Sequence, residues 1–251
     1  MPFDLASVRR RMPRRRFEWF DVVDSTMRIA TQLAREGCPA GTIIGADAQC
    51  AGMGRHGHVW HSEAGAGLYV SMVLRLPLDA NALPLVMLAL GLGTQQAIEE
   101  VAGIAADLRW PNDVLIEGRK CAGILAHLEG GAIVGGIGVN VNQARFPTEL
   151  ESTATSLRLA GKQGISREDL LIALVSGVED CCAILMERGP AIILEMFAHS
   201  SSYAEGRRVR VETNGEVIEG VTWGLDPSGF LVIREDNGKE TTILAGGVRP
   251  V

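Results

Sequence analysis

Apolar residues recur along this chain with two periods, and each change of period marks a new element. Phe17 to Val23 reads as a short strand. Asp24, Ser25 and Thr26 then offer N-caps to a helix that turns Ile29, Ala30, Leu33 and Ala34 inward and stops at Gly37. Thr42 to Gln49 and Gly67 to Arg75 read as two further strands joined by a glycine-rich loop. Pro84 opens a long apolar helix running to about Val101, and Leu108 to Trp110 begins a strand that halts at Pro111. A three-strand meander follows, from Val114 to Ile116, Lys120 to His127 and Ala132 to Asn142, with turns at Glu117-Gly118 and Gly130-Gly131.

Ser166 with Asp169 caps a helix carrying Leu170, Leu171, Leu174, Val175, Val178 and Leu185, which Gly189-Pro190 ends, and a shorter helix reaches about His199. Beyond Tyr203 the rhythm is that of short strands, broken at Asn214-Gly215, Asp226-Pro227-Ser228-Gly229 and Asn237-Gly238, all hairpin signals. Mixed strands and helices followed by strands alone predict an α+β body with a small all-β tail, not a doubly wound sheet. The boundaries expected are a basic arm over 1–16, a main domain over 17–200 and a tail over 201–251. A domain of about fifty residues is near the size, roughly 40, below which few stand alone, so the tail is expected to pack on the main domain.

At 251 residues and 47% hydrophobic, the chain can bury a substantial core. No apolar run suits a membrane span or a secretory signal, so a cytoplasmic protein with no membrane partner is expected. Cys38, Cys50, Cys121, Cys181 and Cys182 are odd in number and lack CxxC spacing, which indicates neither a disulfide framework nor a zinc knuckle. A net charge of −6 speaks against nucleic-acid binding by the body. Arg9, Arg10, Arg11, Arg14, Arg15 and Arg16 run against that charge, but Pro13 interrupts them and no recognition-helix pattern accompanies them, so the arm reads as a solvated lead-in.

The chemistry concentrates in three stretches. Gly52-Met53-Gly54-Arg55-His56-Gly57-His58-Val59-Trp60 joins glycines, which let backbone N–H groups approach an anion, to the permanently charged fork of Arg55. It fits neither the Walker pattern nor a dinucleotide fingerprint. Arg109-Trp110-Pro111-Asn112-Asp113 and Lys120-Cys121-Ala122-Gly123-Ile124 add fixed cations beside a turn. Together they suggest work on a nucleotide phosphate. His56, His58 and His61 have no acidic partner in the loop, so no metal site is expected from them.

With these stretches in place, the chain from about Phe17 onward resembles the biotin protein ligases. The resemblance rests on Asp24-Ser25-Thr26, Gln49-Cys50-Ala51-Gly52, Trp60-His61-Ser62, Gly65-Ala66-Gly67-Leu68-Tyr69, Trp110-Pro111-Asn112-Asp113, Lys120-Cys121-Ala122-Gly123-Ile124-Leu125, and Gly136-Ile137-Gly138-Val139-Asn140-Val141-Asn142, with Gly246-Gly247 near the end of the tail. It implies a class II synthetase-like mixed sheet with flanking helices and a small C-terminal SH3-like β-barrel. It also implies biotinyl-5′-AMP formation from biotin and ATP with Mg²⁺, then transfer to a lysine of a biotin carboxyl carrier protein. Lys120 and Arg55 are the expected catalytic cations. Ser25, Thr26, Gln49, Gly52, Met53, Gly54 and Gly123 are the expected substrate contacts, and Trp60, Asn112 and Asn140 would serve ATP, with Asn140 reading the adenine edge. Without the family, Ser25 and Thr26 serve equally well as helix caps.

The chain also departs from the family, which usually has Asn after the Ser-Thr pair, Arg on both sides of the loop glycines, Asn before Leu-Tyr, and Glu after the Ala-Gly-Ile-Leu run. Met27, Met53, His58, Gly67 and His127 stand in those places. With permanent charges missing from the loop, the adenylate is expected to be held less tightly than usual, with a strength that varies with pH. Sixteen residues precede Phe17, too few for a helix-turn-helix, so a monofunctional ligase is expected. Dimerisation through a sheet edge occurs in the family and is carried as an expectation. Two alternatives stand beside this reading, a lipoate-protein ligase and a biotin-binding protein without catalysis.

Overall fold

A seven-stranded mixed sheet organises the main domain of the protein, seen here in a computed structural model that describes residues 3–213 and 215–251 but not the side chain of His56. Its strands are β1 (Phe17–Val23), β2 (Thr42–Gln49), β3 (Leu68–Leu74), β4 (Asp107–Arg109), β5 (Asp113–Ile116), β6 (Arg119–Glu129) and β7 (Ala132–Val139), in the spatial order β1-β2-β3-β7-β6-β5-β4. β1 and β2 run parallel around a helical crossover, and every other pairing is antiparallel. The expected meander is β5-β6-β7.

Alternation along the strands divides the domain into two layers. Ile43, Met72 and Ile133 face a core shared with α3 (Leu83–Ala102) and α5 (Arg167–Arg188), whereas their neighbours Ile44, Val73 and Val134 face α2 (Thr26–Arg35) through Met27, Ala30 and Ala34. α3 and α5 touch backbone to backbone. A Cβ on Gly93 would lie 2.5 Å from the Val178 nitrogen, and one on Gly177 would lie 2.8 Å from the Gly93 carbonyl oxygen. The cap of α5 is the expected one, with Ser166 Oγ accepting from the Asp169 N–H at 3.1 Å. A short α4 (Leu157–Gly161) and α6 (Pro190–His199) complete the helices. None of the helices among the described residues is long and apolar enough to cross a membrane.

The basic arm keeps Arg9, Arg10, Arg11, Arg14 and Arg16 exposed, yet it is a docked helix and not a free lead-in. Leu5–Arg11 forms a helix, α1, with Val8 fully buried and Phe3 stacked on Trp19 at 3.6 Å between ring centroids. Arg11 pairs with Asp169 and Arg15 with Glu179, both on α5, and Arg16 pairs with Glu18. Arg11 and Arg15 thus settle against acidic residues more than 150 positions away in sequence, a match of charge that no local pattern reveals.

The tail is a five-stranded antiparallel sheet of β8 (Glu205–Thr213), β9 (Glu216–Leu225), β10 (Leu231–Arg234), β11 (Glu240–Ile243) and β12 (Gly247–Pro250), in the order β11-β10-β9-β8-β12. Asn214, half of the first expected turn, lies outside the described residues. The tail packs on the main domain, as its size demands. Trp110 Nε1 donates to the Gly229 carbonyl at 3.0 Å, and Ser201 Oγ donates to the Leu108 carbonyl at 2.6 Å.

Candidate active site

On the α2 face of the sheet, the start of α2, the glycine-rich segment, β5 to β7 and the end of the tail enclose a cavity of about 550 Å³. That volume suits a small organic ligand. The cavity has a floor of bare backbone, where Gly123 on β6 pairs with Gly138 on β7 and Leu125 pairs with Gly136. A Cβ on Gly138 would lie 2.6 Å from the Trp60 indole, one on Gly123 would lie 2.8 Å from the same ring, and one on Gly136 would lie 2.4 Å from Met27 Sδ. Trp60 and Met27 therefore rest where the sheet has no side chains of its own.

One end of the cavity is polar and neutral. Thr26, the first residue of α2, donates its N–H to Gln49 Oε1 at 2.9 Å and places its hydroxyl 2.8 Å from that of Ser71. Gln49 Nε2 donates to Ser62 Oγ at 3.1 Å. Ser25 occupies the N-cap position without making a capping bond, and its buried hydroxyl has no protein partner. A plain capping role therefore does not account for Ser25, and an unpaired buried hydroxyl is a group a ligand can satisfy.

The other end is cationic around one carboxylate. Lys120 Nζ lies 2.5 Å from Asp113 Oδ1, while Arg109 reaches Oδ2 with Nη2 at 2.7 Å and Nε at 3.2 Å. Burial works to raise the pKa of Asp113, but Lys120 and Arg109 outweigh it and hold the carboxyl below its usual range. Lys120 also stands 5.3 Å from the centroid of the Trp60 ring. Arg55 donates through Nη1 to the Gly246 carbonyl at 3.1 Å and to Asn112 Oδ1 at 3.5 Å. Burial lowers the pKa of its guanidinium against an opposing pull from Asp113, and an arginine keeps its charge under such pressure.

The glycine-rich segment is a hairpin, not an open loop. Trp60 N–H donates to the Gly52 carbonyl at 2.9 Å, Gly54 N–H donates to the His58 carbonyl at 2.7 Å, and Met53 bridges Val59 across it. Arg55–Gly57 makes the 3-10 turn at its tip. Gly54 must be small here, because a Cβ would lie 2.9 Å from the His58 carbonyl oxygen.

Of the residues singled out from sequence, Ser25, Thr26, Gln49, Met53, Gly54, Arg55, Trp60, Asn112, Lys120, Gly123 and Asn140 all line the cavity. Gly52 instead sits behind the wall, where a Cβ would lie 2.6 Å from the Trp60 carbonyl oxygen. One amide hydrogen of Asn140 goes to the Thr155 carbonyl at 3.1 Å, leaving the other and the amide oxygen. Asn112 Nδ2 donates to the Ile124 carbonyl at 3.0 Å and fixes the turn before β5.

Sequence reasoning missed Ser71, the pairing of Asp113 with Arg109, and the tail's share of the wall through Glu212, Gly246, Gly247 and Arg249. A lone serine in the apolar run Leu68–Leu74 was a usable signal, since a hydroxyl inside a fully buried strand needs a partner. The tail residues gave none. Gly67, where the family usually has Asn, is required by Tyr69, whose ring would lie 2.4 Å from a Cβ at 67. Met27 packs on Gly136, and His127 Nε2 lies 2.9 Å from the hydroxyl of Thr31 on α2. Among the described residues, no group of three or more His, Cys, Asp or Glu side chains is placed to hold a metal ion.

This architecture and cavity have counterparts. Residues 19–143 match the Biotin/lipoate A/B protein ligase family, and residues 206–248 match the Biotin protein ligase C terminal domain. The bifunctional ligase/repressor BirA of Bacillus subtilis is 35% identical over 227 residues, covering 88% of this chain and 70% of the relative. The biotin–[acetyl-CoA-carboxylase] ligase of Mycobacterium tuberculosis is 32% identical over 212 residues, covering 82% and 77%. Among solved structures, a biotin protein ligase from Aquifex aeolicus in complex with biotin and ATP superposes with a TM-score of 0.83 at 29% identity, covering 94% of this chain and 99% of that one.

Proposed function

The chain belongs to the biotin protein ligases of the biotin/lipoate protein ligase family, and on that premise we propose that it activates biotin with ATP and passes it to a lysine of a biotin carboxyl carrier protein. In the first step a carboxylate oxygen of biotin attacks the α-phosphorus, the bond to pyrophosphate breaks, and biotinyl-5′-AMP forms. In the second, the lysine ε-amine attacks the acyl carbon, AMP departs with the electron pair, and the amine sheds a proton.

The observation that carries this reading is the polarity of the cavity, with neutral hydrogen-bonding groups at one end and cations at the other. A ureido head needs both donors and acceptors, which Ser25, Thr26 and Gln49 offer together on the cavity wall, with Ser71 behind them holding the Thr26 hydroxyl. The carboxylate at the far end of the ligand must approach a phosphate of like charge, a repulsion on the order of 4 kcal/mol at about 4 Å and an effective dielectric near 20. Lys120 and Arg55 supply the opposing charge at the point where it develops. Trp60 would present its ring to the adenylate, with Asn140 and Asn112 beside the nucleotide.

Mg²⁺ would offset charge on the departing pyrophosphate. Asp113 and Glu212 are the carboxylates on the described cavity wall, and Asp113 is already shared by Lys120 and Arg109, so these residues do not form a resident metal site.

Biotin-dependent exchange of labelled pyrophosphate into ATP, followed by label transfer to a purified carrier domain, tests the reading. Exchange with biotin but not lipoate, and label on the carrier lysine, is the expected result. Exchange with lipoate alone, or biotin binding without exchange, would overturn it.

A further inference from the structure

Resting on that reading, we propose that Arg109 is a positioning residue for adenylate formation, acting through Asp113 on Lys120. Arg109 closes β4 and Asp113 opens β5, and the two stand directly opposite each other in the register of that short hairpin. The backbone thus delivers the guanidinium to one carboxylate oxygen. Nη2 and Nε both bond to Oδ2, which leaves Oδ1 turned to Lys120 Nζ at 2.5 Å. Each side chain of the Arg109–Asp113 pair is about one-sixth exposed, at 16% and 15%, so the contact is little diluted by water.

Arg109 is held in turn from the tail. Its guanidinium carbon stands 5.8 Å from the centroid of Tyr203, a ring only 3% exposed, and Arg207 stands 4.3 Å from the same ring. The charged groups converging here are Arg55, Arg109 and Lys120 against Asp113. Facing Lys120 alone, Asp113 would be a full counter-charge and would compete with an incoming phosphate for the ammonium. With Arg109 holding the second oxygen, Asp113 aims Lys120 while part of its charge is already answered. Arg109 also lines the cavity, and both of its bonds to the carboxylate go to Asp113 Oδ2.

Arg109→Met and Arg109→Lys test it, both keeping a long side chain against Tyr203. Pyrophosphate exchange is measured with ATP varied, and biotin affinity by calorimetry. The expected result for Arg109→Met is a loss of about 10- to 100-fold in exchange kcat/KM for ATP, the scale of a slightly misplaced catalytic group, with biotin affinity unchanged. Arg109→Lys, which restores the charge without the fork, should recover part of the rate. Unaltered exchange in Arg109→Met, or a parallel loss of biotin affinity in both variants, would overturn the role. Wild-type protein without any exchange would overturn the proposed function itself, a separate result.

Discussion

Trp60 rests against Gly138, so closely that a single methyl group on that glycine would lie 2.6 Å from the indole. An indole cannot bend aside as a lysine tip can, so Gly138→Ala must shift the ring or the strand beneath it. Overpacking of this kind costs about 1–3 kcal/mol. The expected outcome is a rise of roughly tenfold in KM for ATP with biotin affinity nearly unchanged, read from exchange kinetics and calorimetry. Equal loss of both would show that the ring serves the biotin end as much as the nucleotide.

Arg55 reaches across the domain boundary to the Gly246 carbonyl, and its planar fork is what spans the gap. Arg55→Lys keeps a charge but not that geometry. A fall of about 10²-fold in kcat/KM for ATP is expected in the exchange assay, the magnitude seen when one preorganised donor to a developing charge is lost.

Asp47 receives Arg167 Nη1 at 2.7 Å, and Arg167 is only 4% exposed in its side chain while Asp47 is 21% exposed. Asp47→Ala leaves the guanidinium without that carboxylate in a place where water reaches poorly. The loss should be about 2–3 kcal/mol, somewhat under the roughly 3–5 of a fully buried pair, and the melting temperature should drop by about 4–12 °C. Calorimetric melting of the variant checks it.

Burial lowers the pKa of His127, with Glu129 opposing and Arg35 assisting, so the fold prefers the neutral ring. The unfolded chain takes up the proton first as pH falls. His127 therefore contributes stability that is complete above the ordinary imidazole pKa, near 6.5, and is lost as pH drops toward the lower value in the fold. Between about pH 7.5 and about pH 5.5 the wild type should lose more melting temperature than His127→Gln, whose amide can still meet the Thr31 hydroxyl. Parallel curves would remove His127 from the pH response.

What the sequence reveals of this protein follows the range of the interactions. β2 appears at its observed bounds, Thr42–Gln49, because its apolar run sits between turn residues, and the Ser166 cap is read from one hydroxyl and its spacing. The main cations, Arg55 and Lys120, announce themselves through neighbouring glycines and turns. Three features stay hidden. The hairpin form of Gly52–Trp60 depends on backbone bonds across glycines that have no period, α1 depends on acids more than 150 residues away, and the hold of Gly246 on Arg55 joins positions 191 apart. Arg109 and Asp113 are a milder case. They lie four apart in sequence, yet only the pairing of β4 with β5 turns that spacing into contact.

A pocket hollowed by hydrogen atoms can be edited in one direction alone. At Gly123, Gly136 and Gly138 every replacement adds bulk, so no change there deepens the floor itself. Any broader appetite, natural or engineered, has to be found in the overhanging side chains, Met27 foremost, where a shorter residue would open depth that the strands beneath already allow.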